Sequence, residues 1–373
     1  MKVKIFIFNS RKYDYTTSSL IEGLYKIKEV ELKFSNIGSY ANKDDVMNSE
    51  DLIAYCNEMA DIVILGSNHY VDHEAFFSLT KCSAAKVYID GWDTGQIGLN
   101  IKKFKHLDYV FKTNLYKKNA SLSNLFKILF DKKSYSLWSV FYSHPMIPFP
   151  YFHGMKNYMR LRDLIRNLAT LLYRKRVYPL PFGIEDRVIN DFNENPEYFL
   201  SCMMETSRVP ERNKLISYLE GKKNKIDKIF IGIIPFDNES WSIMENLKAS
   251  DPQIERSNRG YATHNKRYYE QLNNSNMCIS IPGGGFETFR YWEILASGAL
   301  LISKRSTLQV PNELVDGVHY LGFDTMDDLD NILNFAQSNP IEVNKIRRSG
   351  YQFSLKHHRT FNRAEYFLSR ISL

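Results

Sequence analysis

Short apolar runs separated by amphipathic stretches recur along this chain in two blocks, and that alternation narrows the fold more than any other feature. In the first block, residues 2–8, 30–34, 61–66, 86–90 and 108–112 read as strands. Residues 17–28 carry Leu20, Ile21, Leu24 and Ile27 on one helical face, and 51–59 form a second helical stretch. In the second block, 198–203, 228–234, 277–281 and 300–303 read as strands, with helices over 212–219, 265–273, 288–297 and finally 363–371. Strands that are apolar throughout, rather than alternating, imply parallel sheets covered on both faces. At 373 residues the chain accommodates two such units. The expected domains are 1–182 and 183–373, joined by a Pro-punctuated connector, VYPLPFG, over 177–183. Open sheets of this kind bind ligands at the carboxyl ends of their strands, so two facing units create a cleft.

Residues 119–176 depart from the pattern. They are rich in Phe, Tyr, Lys and Arg and are broken by Pro145, Pro148 and Pro150. Their end, 158–175, predicts a basic amphipathic helix suited to an anionic membrane surface. No run of about 20 apolar residues predicts a spanning helix, and the amino terminus reads as a first strand rather than a leader. With 44% hydrophobic and 24% charged residues the chain is of globular type. Its net charge of +7 suits phosphate-bearing ligands, membrane surfaces or nucleic acid without choosing among them. Cys56, Cys82, Cys202 and Cys278 lack metal-ligand spacing and read as reduced thiols, so the expected compartment is the cytoplasm, with peripheral contact at the inner face of a membrane.

The segment 279–302 carries the most chemistry. A buried strand ends at Pro282. Gly283, Gly284 and Gly285 then permit close approach of a ligand, and Phe286, Glu287 and Thr288 lead into a helix. The first N–H groups of that helix favour an anion such as a diphosphate. Arg290 and Glu293 lie three apart on one face. Arg290 can fork phosphate oxygens and Glu293 can accept from a ribose diol. Trp292, Ile294 and Leu295 are expected to face the core. After the strand at 198–203, Arg208 and Arg212 stand four apart where a loop enters a helix. No Asp-x-Asp triplet accompanies the segment 279–302 to hold a diphosphate through a cation, so neither a metal nor a cofactor is expected.

This segment resembles the donor motif of GT-B glycosyltransferases, particularly the exostosin-like and spore-maturation-like bacterial families. Gly283, Gly285, Glu287, Thr288, Arg290, Trp292, Glu293, Leu295 and Gly298 match that motif in register. The pair Arg208 and Arg212 is similar to the donor-phosphate arginines of the phage DNA β-glucosyltransferase. The resemblance implies two Rossmann-like domains facing across a cleft, with a C-terminal helix returning to the first. It implies a hexosyltransferase-like enzyme using a nucleotide-diphosphate sugar, metal-independent and inverting. The acceptor would be a hydroxyl of a surface glycan or a lipid-linked molecule. The commoner GT-B pattern has a second glutamate, which here would fall on Gly285. Two alternatives are a DNA-modifying glucosyltransferase, for which nucleic acid is a partner, and an inactive binding subunit.

An inverting displacement needs a base from the first domain, at a strand's carboxyl end. Asp93, Asp90 and His69 meet that condition, and Asp93 is preferred because it stands beyond Gly91 and beside Trp92. Asp90 reads more readily as a turn residue. Lys304 and Arg305 are expected to add positive charge near the donor. His357 and His358 are expected on a solvated helix face.

Overall fold

Alternating strands and helices build two parallel sheets. The computed structural model describes residues 2–9, 15–36, 40–47, 49–66, 82–91, 106–115, 117, 177–204, 210–233, 266–283 and 285–372. The expected basic helix over 158–175 lies outside them. The first sheet contains β1 (Val3–Phe8), β2 (Val30–Phe34), β3 (Ile62–Leu65), β4 (Ala85–Asp90), β5 (Tyr109–Lys112) and β6 (Val177–Pro179). Their spatial order is β2-β1-β3-β4-β5-β6, all neighbours parallel. Helices α1 (Tyr15–Tyr25) and α2 (Ser49–Glu58) follow β1 and β2. Ile5, Ile7, Ile62, Ile64, Val87 and Ile89 point to one covered face, while Phe6, Val63, Leu65 and Tyr88 point to the other. Burial on both faces is why these strands read as continuous apolar runs.

The second sheet contains β7 (Tyr198–Met204), β8 (Ile229–Ile233), β9 (Ser275–Ser280), β10 (Leu300–Lys304) and β11 (Leu321–Phe323), in the order β11-β10-β9-β7-β8. It is again parallel, with Leu200 opposite Met277 and Ile279 opposite Ile302. Its helices are α3 (Pro210–Lys222), α4 (Lys266–Asn273), α5 (Phe289–Ala296), α6 (Met326–Ser338) and α7 (Pro340–His357). Among the described helices none is long and apolar enough to cross a membrane. In both sheets the chain reverses its direction of winding beside the first strand. Those switch points lie between β1 and β3 and between β7 and β9.

Several elements differ from expectation. The connector begins as a strand, because β6 pairs with β5 before the chain turns away at Leu180. The long helices α6 and α7 fill a stretch in which the sequence reading placed only a helix face at His357 and His358. Their local signals are a Thr325–Asp328 capping box and a proline at the start of α7. The last helix, α8 (Thr360–Arg370), starts three residues earlier than expected and does return to the first sheet. There Ala364, Phe367 and Ile371 complete the core beneath β1, β4 and β5. The crossing is tight. Ile184 N–H donates to His358 O at 2.8 Å, and Thr360 N–H donates to Ile184 O at 3.0 Å. A Cβ on Gly183 would stand 2.8 Å from the Thr360 backbone and 2.9 Å from Ser19 Oγ.

Candidate functional site

The turn between β9 and α5 sits at the switch point of the second sheet. Gly283 N–H donates to Gly285 O at 2.9 Å, which closes the turn. Arg212, in the first turn of α3, reaches across from β7. Its Nη2 lies 2.8 Å from where a Cβ on Gly283 would stand, so any larger residue would displace the guanidinium. Thr288 caps the start of α5 with extended backbone, and its hydroxyl bonds Ser280 Oγ at 3.0 Å. Arg290 stands in the first turn of α5. Among the described residues no carboxylate pairs with it, and its Nε is buried without a hydrogen-bond partner. Arg212 and Arg290 both act electrostatically on the buried Cys202 thiol, countering the burial that lifts its pKa to about 12. The Arg212 guanidinium and a helix start thus meet where the strands end, with Arg290 in the first turn of that helix, and an anion is the ligand such an arrangement favours.

Glu293 is buried between α4 and α5. Tyr268 Oη donates to its Oε2 at 2.9 Å and Tyr269 Oη to its Oε1 at 3.2 Å. Neither tyrosine was singled out in the sequence, although both lie on the short helix preceding β9. Trp292, Ile294 and Leu295 face the core as expected. Gly298 adopts φ +79° after the helix, the left-handed conformation that allows the chain to enter β10 directly.

Glu287 occupies a different position from a simple phosphate-loop residue. Its Oε1 accepts from the Phe182 N–H at 2.9 Å and from Trp292 Nε1 at 2.6 Å. Its own N–H donates to Asn114 Oδ1, beyond β5, at 3.1 Å. Burial lifts the carboxyl to about 8, against smaller opposing effects from the Trp292 indole, Arg363 and the Phe182 amide. Phe286, Glu287, Tyr291, Ser306 and Tyr320 line a cavity of about 50 Å³, and Lys117 of the first domain closes one side. The domains also touch directly. Tyr15 of α1 stacks on Phe289 at 3.9 Å, and Phe182 stacks on its ring at 4.2 Å. Lys117 N–H donates to Thr307 O and Gln309 N–H to Leu115 O, a short backbone ladder across the cleft.

Asp90 ends β4 with no exposed side-chain surface and pairs with the equally buried Lys112 at 3.3 Å. That pairing agrees with a structural role at the strand end. Asp93, His69, Arg208 and Gly284 lie outside the described residues. Arg305 is held by Asp316 and Asp324, so its charge is offset locally rather than offered to a ligand. Lys304 Nζ donates to Asp324 O, and burial lowers its pKa to about 7. The expectation for His358 fails. It is fully buried, accepts from Arg363 Nη2 at 2.7 Å and packs 4.7 Å from the Trp292 ring. Its pKa is pushed well below the ordinary value, chiefly by burial. A basic neighbourhood in sequence conceals it, because the covering groups come from α5 and α8. Among the described residues no cluster of His, Cys, Asp and Glu is arranged to hold a metal ion.

No curated protein sequence matches the chain. Residues 243–369, about a third of it, match the model of a family described as glycosyl transferase-like. Among solved structures, Anabaena HepE in complex with UDP is similar over 99% of this chain and 99% of its own, at a TM-score of 0.50 and 10% identity. The same protein with UDP and glucose gives 0.51 at 9% identity, over 98% of both chains. At that identity the likeness is one of fold. The chain has the two-domain GT-B fold, and its second domain carries a glycosyl transferase-like signature.

Proposed function

We propose that this chain is a glycosyltransferase that moves a sugar from a nucleoside-diphosphate donor to a hydroxyl acceptor. The observation that carries the reading is the convergence of Arg212, the Gly283 turn and the start of α5 at the β7/β9 switch point. The family match over residues 243–369 supports it, because it spans this turn. HepE has been solved with UDP and with UDP-glucose, which makes uridine nucleotides the first donors to try.

In this reading Arg212 and Arg290 bind the diphosphate, with Arg208 as a further contact, and Glu293 accepts the ribose hydroxyls. The acceptor oxygen attacks the anomeric carbon as its bond to the diphosphate breaks, inverting that carbon. The arginines and the helix start offset the charge that builds on the leaving group, which makes the step metal-independent. A base of the first domain takes the hydroxyl proton, and Asp93 is the choice, with His69 next. The acceptor is a glycan or lipid-linked hydroxyl, and the basic stretch 158–175 docks on an anionic membrane.

A thermal-shift series with nucleoside diphosphates and sugar nucleotides tests the reading. A ligand at about 100 times its Kd stabilises the folded state by about 2.7 kcal/mol. At least one such nucleotide should raise the melting temperature of the parent and not of Arg212→Ala. If no nucleotide shifts the parent, the assignment of the turn is wrong.

A further inference from the structure

We propose that Glu287 is a positioning residue that fixes the two domains against each other by tying the donor turn to the connector. The geometry has three parts. Oε1 holds the Phe182 amide and the Trp292 indole together. The backbone N–H of Glu287 holds Asn114 at the end of the first sheet. Oε2 is buried and finds no hydrogen-bond partner among the described residues. One side chain thus joins the connector, α5 and, through its own amide, the first domain. Only its use at the donor turn rests on the glycosyltransferase reading; the tie itself does not.

An uncharged carboxyl suits this place. A carboxylate buried with one oxygen unbonded is costly, whereas a neutral acid needs less. Burial raises the group from its ordinary 4.5 to about 8, so it is largely neutral at pH 7 and ionises above about 8. The folded chain keeps a proton that the unfolded chain releases near 4.5. The stability linked to this group therefore falls from pH 4.5 upward and reaches its floor above about 8. The charged and titratable neighbours are Arg363 of α8, His358 behind it, Tyr291 of α5, Tyr320, and the Lys117–Glu313 ion pair at 2.8 Å. Burial lowers Arg363 to about 10 and holds His358 neutral, while Tyr291 and Tyr320 are raised. A transition near pH 8 in this cluster therefore belongs to Glu287.

The experiment compares the parent with Glu287→Gln and Glu287→Ala. Gln keeps an oxygen for both donors and cannot ionise. The indole N–H resonance absent from Trp292→Phe should move near pH 8 in the parent and stay fixed in Glu287→Gln. Amide exchange over residues 180–184 should be about tenfold faster in Glu287→Ala at pH 7 and parent-like in Glu287→Gln. At pH 9 the parent should exchange faster than Glu287→Gln. The proposal is overturned if the indole resonance of the parent does not titrate between pH 6 and 9.5, or if Glu287→Gln is as loose as Glu287→Ala. Should Glu287→Ala fail to fold, the titration of the parent against Glu287→Gln still decides. UDP added at pH 7 and pH 9 separates the two ideas. Failure of UDP to bind at either pH argues against the donor reading, while exchange in the connector reports on Glu287 alone.

Discussion

Glu293 is a buried carboxylate with a structural setting of its own, and the proposed function gives it a ligand as well. Tyr268 and Tyr269 already donate to it, so its rotamer is set before any ligand arrives. Replacing Glu293 by Ala removes a charged acceptor, worth about 1.5–3 kcal/mol per bond, and UDP affinity should fall roughly 10–100-fold. The same change strands the buried Tyr268 hydroxyl, so stability must be measured beside affinity. Tyr268→Phe is the control, because it loosens the carboxylate without removing it. It should weaken UDP binding several-fold less, as read by calorimetry. If Glu293→Ala binds UDP like the parent, the role of the carboxylate is structural. The identities in this turn were legible from the sequence, since a strand, a glycine run and a helix start are local features. The surroundings of Glu287 and His358 were not. Phe182 and Asn114, the partners of Glu287, lie more than a hundred residues away in the chain, and Trp292, which covers His358, lies tens of residues away.

Elements were read best where burial was complete. β3 is apolar throughout, and β1, β4 and β9 each carry a continuous apolar stretch buried on both faces (IFI, VYI and MCI), which needs no periodicity to be seen. The helices α6 and α7 escaped because their buried positions are few: Leu329, Leu333 and Ala336 in one, Val343, Ile346, Arg347, Gly350 and Ser354 in the other. Three of the last five, Arg347, Gly350 and Ser354, are polar or have no side chain, which erases the apolar stripe. Close helix contacts were hidden for the same reason. Gly23 of α1 lies under α8, and a Cβ there would stand 2.1 Å from Thr360 O. That atom belongs to backbone and cannot swing aside. Gly23→Ala should therefore push α8 from α1, at the roughly 1–3 kcal/mol typical of overpacking. Its better helix propensity returns only about 1 kcal/mol. Urea denaturation followed by circular dichroism should show a lower midpoint. An unchanged or higher midpoint would mean that the two helices are less closely packed than this.

At the scale of the whole molecule, the chain order and the core order do not coincide. The last helix follows the second sheet in sequence yet belongs to the core of the first. Phe367 is fully buried, with its ring 4.6 Å from that of Phe111 in β5. Four residues earlier, Arg363 donates to Phe182 O and His358, holding the start of the same helix at the domain junction. The first domain therefore lacks part of its core until the second has been made and α8 has crossed back. Phe367→Ala removes a ring from a packed interior, a change that typically costs about 3–5 kcal/mol. The loss should fall on the first sheet. Amide exchange in β1, β4 and β5 should accelerate by two to three orders of magnitude, following tenfold per 1.4 kcal/mol. Exchange in β7, β9 and β10 should change far less, because their core is built from α3, α6 and α7 on one face and α4 and α5 on the other. A uniform acceleration in both sheets would instead mean that the domains unfold as one unit, with α8 and the Glu287 junction coupling them. Acceleration confined to the second sheet would contradict the placement of α8.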